Sequence, residues 1–179
     1  REMGKLSESE ESFRQVIALK SDDVETYNNL GNTLQEMGKF EEAIVSYEKA
    51  ISLDTRYFDA YNNLGVVLHQ LGKLEEAQKS FRQAILIKPD FAKAYNNLGR
   101  LFQDFGRFEE AKAIYNKVIN IKPKEASAYR HITLISKINV QDQLYYKMKN
   151  IYNDKSVSKN ELCHINFGLG KIYADADKY

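Results

Sequence analysis

Three asparagines, Asn29, Asn63 and Asn97, recur at a fixed step of 34 residues. An amide side chain both donates and accepts, so a row of them can hold the backbone of an extended peptide whatever that peptide's side chains are. Asparagine weakens a helix by several tenths of a kcal/mol, roughly, relative to alanine, so something must offset that cost at three equivalent positions. The helix face that carries them reads Glu25, Asn29, Asn32 and Glu36, then Asp59, Asn63, Val66 and Gln70, then Lys93, Asn97, Arg100 and Asp104. The plain alternative is duplication, in which three copies inherit one solvated ancestral residue. The neighbouring amides Asn28, Asn62 and Asn96 lie angularly nearer the helix packing, where an inter-helix hydrogen bond is the better reading. Charge also changes along the face, from Glu25 and Asp59 to Lys93 and Arg100, with Arg130, His131 and Lys137 continuing the basic end. A polar peptide with opposite charges at its ends would suit that gradient.

No arrangement suited to catalysis or metal binding is found. His69, His131 and His164 are far apart along the chain, and Cys163 and His164 are adjacent on a helix, where neighbours point about 100° apart. Gly168-Leu169-Gly170 sits inside a helical pattern, which makes it a place of close helix packing rather than a phosphate loop. No cofactor is expected.

The elements that must position these residues are written in the same 34-residue step. Tyr-Asn-Asn-Leu-Gly stands at 27–31, 61–65 and 95–99, and a second phrase, Gly-Lys/Arg-Phe/Leu-Glu-Glu-Ala, stands at 38–43, 72–77 and 106–111. In the first helix of each unit Tyr27, Leu30, Gly31 and Leu34 share a stripe, and in the second Ala43, Tyr47, Ala50 and Ile51 do so. Gly31 lets the second helix approach closely enough for Tyr47 and Ala43 to interlock with it. Pro89 and Pro123 close the second and third units, while Thr55 holds that place in the first.

A 34-residue period with two helical phrases resembles the tetratricopeptide repeat, on Tyr61, Leu64, Gly65, Gly72, Ala77, Phe81, Ala84 and Pro89. The resemblance covers residues 24–125 and implies an all-α, right-handed α-solenoid of antiparallel helix pairs, about ten helices in all. Within a single solenoid spanning 1–179, residues 5–20 form the second helix of a broken repeat. Regular repeats occupy 24–57, 58–91 and 92–125, and 126–179 is divergent. The resemblance places the asparagine face in the concave groove, and the expected peptide contacts are Asn29, Asn32, Asn63, Val66, Lys93, Asn97 and Arg100. It also raises the clamp with which some of these domains hold a chain-terminal carboxylate. Asn32, Asn63 and Lys93 match that clamp, but Asn28 and Asn97 replace two of its basic residues.

Within 126–179, Tyr129 keeps the step while Ile132-Thr133 and Val140 replace the Leu-Gly and the glycine turn. Ser158 with Glu161 has the form of a capping box, and three extra residues are expected around Asn153 to Ser158. Tyr129-Arg130-His131 and Phe167-Gly168-Leu169-Gly170-Lys171 are similar to the segment that joins such arrays to the catalytic domain in bacterial repeat-fused sulfotransferases. The start, Arg1-Glu2-Met3-Gly4-Lys5-Leu6, aligns with the join at 35–40, and Asp177-Lys178-Tyr179 resembles another such join, so an excised piece of a longer protein is expected.

Composition narrows the partners. Lys and Arg number 26 against 25 Asp and Glu, a net charge of +1 that gives no footprint for nucleic acid or an anionic membrane. The single cysteine, Cys163, fits a reducing, cytoplasmic compartment. A protein or extended-peptide ligand is therefore expected, bound without chemistry at the site. The alternatives are the substrate-presenting part of a sulfotransferase or glycosyltransferase, and a scaffold that self-associates end to end through Leu6 and Phe13 at one end and Phe167 and Tyr173 at the other.

Overall fold

A computed structural model describes residues 2–176. The two terminal joins read from the sequence, at Arg1 and at Asp177-Lys178-Tyr179, fall wholly or partly outside these residues. The described chain forms ten α-helices: α1 Glu2–Leu19, α2 Val24–Glu36, α3 Phe40–Leu53, α4 Phe58–Gln70, α5 Leu74–Ile87, α6 Ala92–Asp104, α7 Phe108–Ile121, α8 Ala126–Ile135, α9 Gln143–Asn153 and α10 Lys159–Ala176. Contacts divide the chain into two compact units, one ending at Ala94 and the other beginning at Tyr95, within the first turn of α6. No helix among the described residues is long and apolar enough to cross a membrane.

In the first unit α1 packs on α2, α2 on α3, α3 on α4 and α4 on α5. The decisive contact within each pair is a ring on bare backbone. A Cβ placed on Gly31 would lie 2.5 Å from Cε1 of Tyr47, and one on Gly65 would lie 2.7 Å from Cε1 of Phe81. Carbon atoms in contact sit roughly 3.5–4.0 Å apart, so only glycine allows these rings to reach full burial. Around each ring Leu30, Leu34, Ala43 and Ala50, and their counterparts Leu64, Leu68, Ala77 and Ala84, close the core.

The turn between paired helices is also dictated locally. Gly38 takes φ 75°, its N–H donates to the Gln35 carbonyl, and the Lys39 N–H donates to that of Leu34 at 2.8 Å. This pair of bonds ends a helix on a left-handed residue, which glycine adopts without a steric penalty. The far ends of the second helices fall at Leu53, Ile87 and Ile121, successive steps of 34. Thr55 therefore marks as sharp a boundary as Pro89 and Pro123: the helix stops where its apolar stripe stops, and proline is not required.

In the second unit the ring of Tyr115 lies on Gly99 in the same way, and α7 packs on α8. The regular scheme then changes. Thr133, at the glycine position, is buried and turns its hydroxyl back to donate to the Arg130 carbonyl at 2.8 Å. Helix α8 ends at Ile135 and packs chiefly against α10 rather than α9. Gly168 of α10 supplies the close approach, toward Met148 of α9 and Thr133 of α8, whereas Gly170 faces open space. With α9 drawn away from α8, a cavity of about 450 Å³ remains, lined by Ile119, Pro123, Tyr129, Lys147 and Ile151 among others. The capping box is present: the Ser158 N–H donates to Glu161 at 2.9 Å and the Glu161 N–H to the Ser158 hydroxyl at 3.3 Å. The preceding loop, 154–158, has five residues against four in 122–125, while α10 has 18 residues where α2, α4 and α6 have 13. The join at Asp177, from which the three extra residues are counted, lies outside the described residues.

Two outcomes follow from this packing. Leu64→Ala empties a buried site and is expected to cost about 2–5 kcal/mol in urea denaturation; a loss under about 1 kcal/mol would contradict the packing of α4. Asp23 caps α2, accepting from the Thr26 hydroxyl and, at 3.0 Å, from the Thr26 N–H, and it pairs with Lys20. The Thr26 hydroxyl first, then Lys20 and the Thr26 N–H, lower its pKa from 3.8 to about 2. The cap's contribution is therefore complete above about pH 4 and is lost as pH falls through about 2. Asp23→Asn keeps a capping oxygen and should flatten that part of the acid-unfolding profile.

Candidate functional site

The amide face of the first unit is built on α2 and α4. These helices lie close because their glycines admit the rings of α3 and α5, and at that separation the amides of one helix reach those of the next. Asn63 Nδ2 donates to Asn28 Oδ1 at 3.0 Å and to Asn32 Oδ1 at 3.1 Å, and Asn62 Nδ2 donates to Asn63 Oδ1 at 3.1 Å. The Tyr47 hydroxyl lies 2.9 Å from Asn32 Oδ1 and 3.1 Å from Gln35 Oε1. Gln35 Nε2 in turn donates to Gln70 Oε1 at 3.1 Å. Burial pushes the Tyr47 phenol well above its ordinary pKa, with Glu36 adding to the shift, so the hydroxyl remains a donor throughout the physiological range.

Asn28, Asn32, Asn62 and Asn63 thus form one network. Asn28 and Asn62 are buried and hydrogen-bonded between helices, as their phase suggested. Asn63, assigned to the open face by periodicity, is half-buried and bridges α4 to α2. The Asn29 side chain, also half-buried, makes no hydrogen bond with another described residue, so both amide functions stay available, whereas Asn63 keeps one acceptor lone pair. Asn32 and Val66 are half-buried and Lys93 is exposed.

In the second unit Asn97 is half-buried and Arg100 exposed. Asn96 Nδ2 reaches Ser127 Oγ at 3.5 Å, a long bond, and its buried Oδ1 has no partner. His131 stands one step of 34 after Asn97 and stacks on Tyr115, with ring centroids 4.9 Å apart and planes 8° from parallel. Burial, then the charges of Arg130, Arg100 and His164, lower its pKa below the ordinary imidazole value. The Tyr115 hydroxyl donates to Gln103 Oε1 at 3.2 Å. Sequence reasoning grouped Arg130 and His131 with the basic end of the face and did not foresee the stack; His131 sharing the phase of the ladder was the available signal. At the ends of the chain Leu6 and Phe13 are half-buried and Phe167 and Tyr173 exposed. No group of three or more His, Cys, Asp or Glu among the described residues is placed to hold a metal ion.

Comparison with known proteins agrees with this geometry. A family model described as "TPR repeat" matches residues 1–38 and 36–72, and one described as "Tetratricopeptide repeat" matches 56–124. No curated protein sequence matches the chain. Among solved structures, a crystal structure of MamA is 26% identical, covers 98% of this chain and 93% of its own, and superposes with a TM-score of 0.69. The MamA 41-end structure from Desulfovibrio magneticus RS-1 covers 98% of this chain and 88% of its own at 17% identity and TM-score 0.68, a likeness of fold. The first TPR of Spaghetti (RPAP3), bound to the HSP90 peptide SRMEEVD, is 25% identical and covers 63% of this chain and 89% of its own, with TM-score 0.60. The fold is an all-α tetratricopeptide solenoid. The MamA likeness extends through α8 to α10, and nothing in these neighbours supports a sulfotransferase linker there.

Removing the bridging amide tests the network. Asn63→Ala takes a donor from two acceptors and is expected to cost about 1–3 kcal/mol, while Asn29→Ala stays within about 0.5 kcal/mol. Equal losses in urea denaturation would mean that the two amides do not differ in role.

Proposed function

We propose that this chain, whose residues 1–124 are tetratricopeptide repeats, is a protein-interaction scaffold that takes an extended peptide along the amide face of its first helices. The observation that carries the reading is the pre-set amide array: Asn63 is locked by Asn28, Asn32 and Asn62, while Asn29 beside it keeps its full hydrogen-bonding capacity. A side chain fixed before the ligand arrives loses little rotamer entropy on binding. An amide suits peptide backbone, which offers one N–H and one C=O at most residues. The proposed contacts are Asn29, Asn32, Asn63, Val66 and Lys93 on the first unit, and Asn97 and Arg100 on the second. That the Spaghetti (RPAP3) domain is bound to a peptide supports a peptide as the ligand class. Only part of the clamp pattern is present here, in Asn32, Asn63 and Lys93, so a chain-terminal carboxylate is not the favoured ligand.

Selection from a random peptide library tests the reading. Selected peptides should bind in fluorescence anisotropy, and Asn29→Ala with Lys93→Ala should weaken them about ten-fold. Glu48→Ala, on the exposed side of α3, should leave binding unchanged. Equal effects from both sets of substitutions, or no peptide recovered, would remove the amide face as the binding surface.

A further inference from the structure

In the second unit a set of cationic and imidazole groups gathers without carboxylate partners. The Arg130 side chain makes no hydrogen bond or ion pair with another described residue, and its Nε is buried. Its guanidinium instead lies 4.7 Å from the centroid of the Phe167 ring, on α10. His131 Nδ1 is likewise buried without a partner. The charges of Arg130, Arg100 and His164 all lower the His131 pKa, with Asp104 opposing more weakly. By contrast, Arg14, Lys39, Arg107, Lys124 and Lys171 each pair with a carboxylate.

Unpaired buried donors are costly, by about 1–3 kcal/mol each and more when charged, and a guanidinium presents its donors in a fork that matches a carboxylate. We propose that Arg100, Arg130, His131 and His164 form an oxyanion site in the second unit, which takes the carboxylate side chains of an acidic segment of a protein partner. It deepens the peptide-binding reading above and rests on it. Arg100 stands at the 34-residue step of Asn32 and Val66 and is exposed in the second unit, where an acidic side chain can approach it from solvent. The half-exposed Phe167 beside Arg130 offers an apolar ledge for that side chain's methylene stem. In the first repeats these positions hold amides or valine: Arg130 replaces Asn62 and Asn96, His131 replaces Asn63 and Asn97, and Arg100 replaces Asn32 and Val66. Groups that read any backbone thus give way to groups that select a charge.

The full chain, labelled with nitrogen-15, is titrated at constant ionic strength with a short peptide of alternating glutamate and serine. Its glutamine counterpart and a glutamine–phosphoserine peptide are the comparisons. The Arg130 Nε–H and the His131 and His164 ring resonances should shift saturably with the glutamate peptide, at an affinity about ten-fold above that for the glutamine peptide. Arg100→Gln, at an exposed position, and the double variant Arg100→Gln with Arg130→Gln should bring the two affinities together; circular dichroism checks that each variant is folded. If Arg130→Gln unfolds the unit, Arg100→Gln alone decides. Equal binding of both peptides overturns the oxyanion site and leaves peptide binding standing. Tighter binding of the phosphoserine peptide overturns the carboxylate assignment. No shift in Arg130 or in the amides of α2 and α4 with any peptide overturns both.

Discussion

An aromatic ring resting on a residue without a side chain is the contact on which this molecule depends. Tyr47 on Gly31, Phe81 on Gly65 and Tyr115 on Gly99 fix the distance and the phase between paired helices. Everything polar on the first helices follows from that distance. At the usual separation of packed helices, roughly 8–10 Å, amides on successive first helices reach each other only if the spacing is narrow and constant. The rings keep it so, and the resulting Asn28–Asn63–Asn32 network is satisfied rather than strained.

A satisfied network in a partly buried place has two effects. It removes the penalty of burying Asn62 and Asn28, and it settles which amides can still turn outward. The face is therefore neither a row of identical solvated side chains nor a uniform ladder. In the first unit it sets a locked amide, Asn63, and an available one, Asn29, on successive helices, which suits a ligand that offers both backbone donors and acceptors. Where asparagine gives way to arginine and histidine, in the second unit, Arg130 Nε and His131 Nδ1 are buried without a hydrogen-bond partner.

Periodicity was enough to read the helices, their turns and the ring-on-glycine contacts, because each depends on residues within one 34-residue step. It was enough for the Ser158–Glu161 cap for the same reason. It did not show that Asn63 would be the bridging amide. Angular phase says which way a Cβ leaves its helix, while a hydrogen bond also depends on the neighbouring helix and on which rotamer finds an acceptor. Nor did it show α8 turning from α9 to α10. Once Thr133 replaces glycine, the close approach moves to Gly168, a substitution of partners between segments more than thirty residues apart.

The middle ring carries one more meaning. Tyr47 has a hydroxyl, with the side-chain oxygens of Asn32 and Gln35 both within reach of its one proton; Tyr115 has one, and Gln103 accepts it. In the second repeat the ring is Phe81, which asks for no acceptor; Val66 stands at the place of Asn32 and His69 at that of Gln35. Ring and acceptor lie on the second and first helix of one repeat, so each repeat settles this hydrogen bond within itself. A whole repeat moved within the array would carry its ring and its acceptor together, whereas a boundary cut between the two helices would part Tyr47 or Tyr115 from the amide it donates to. The piece that moves without loss is the helix pair.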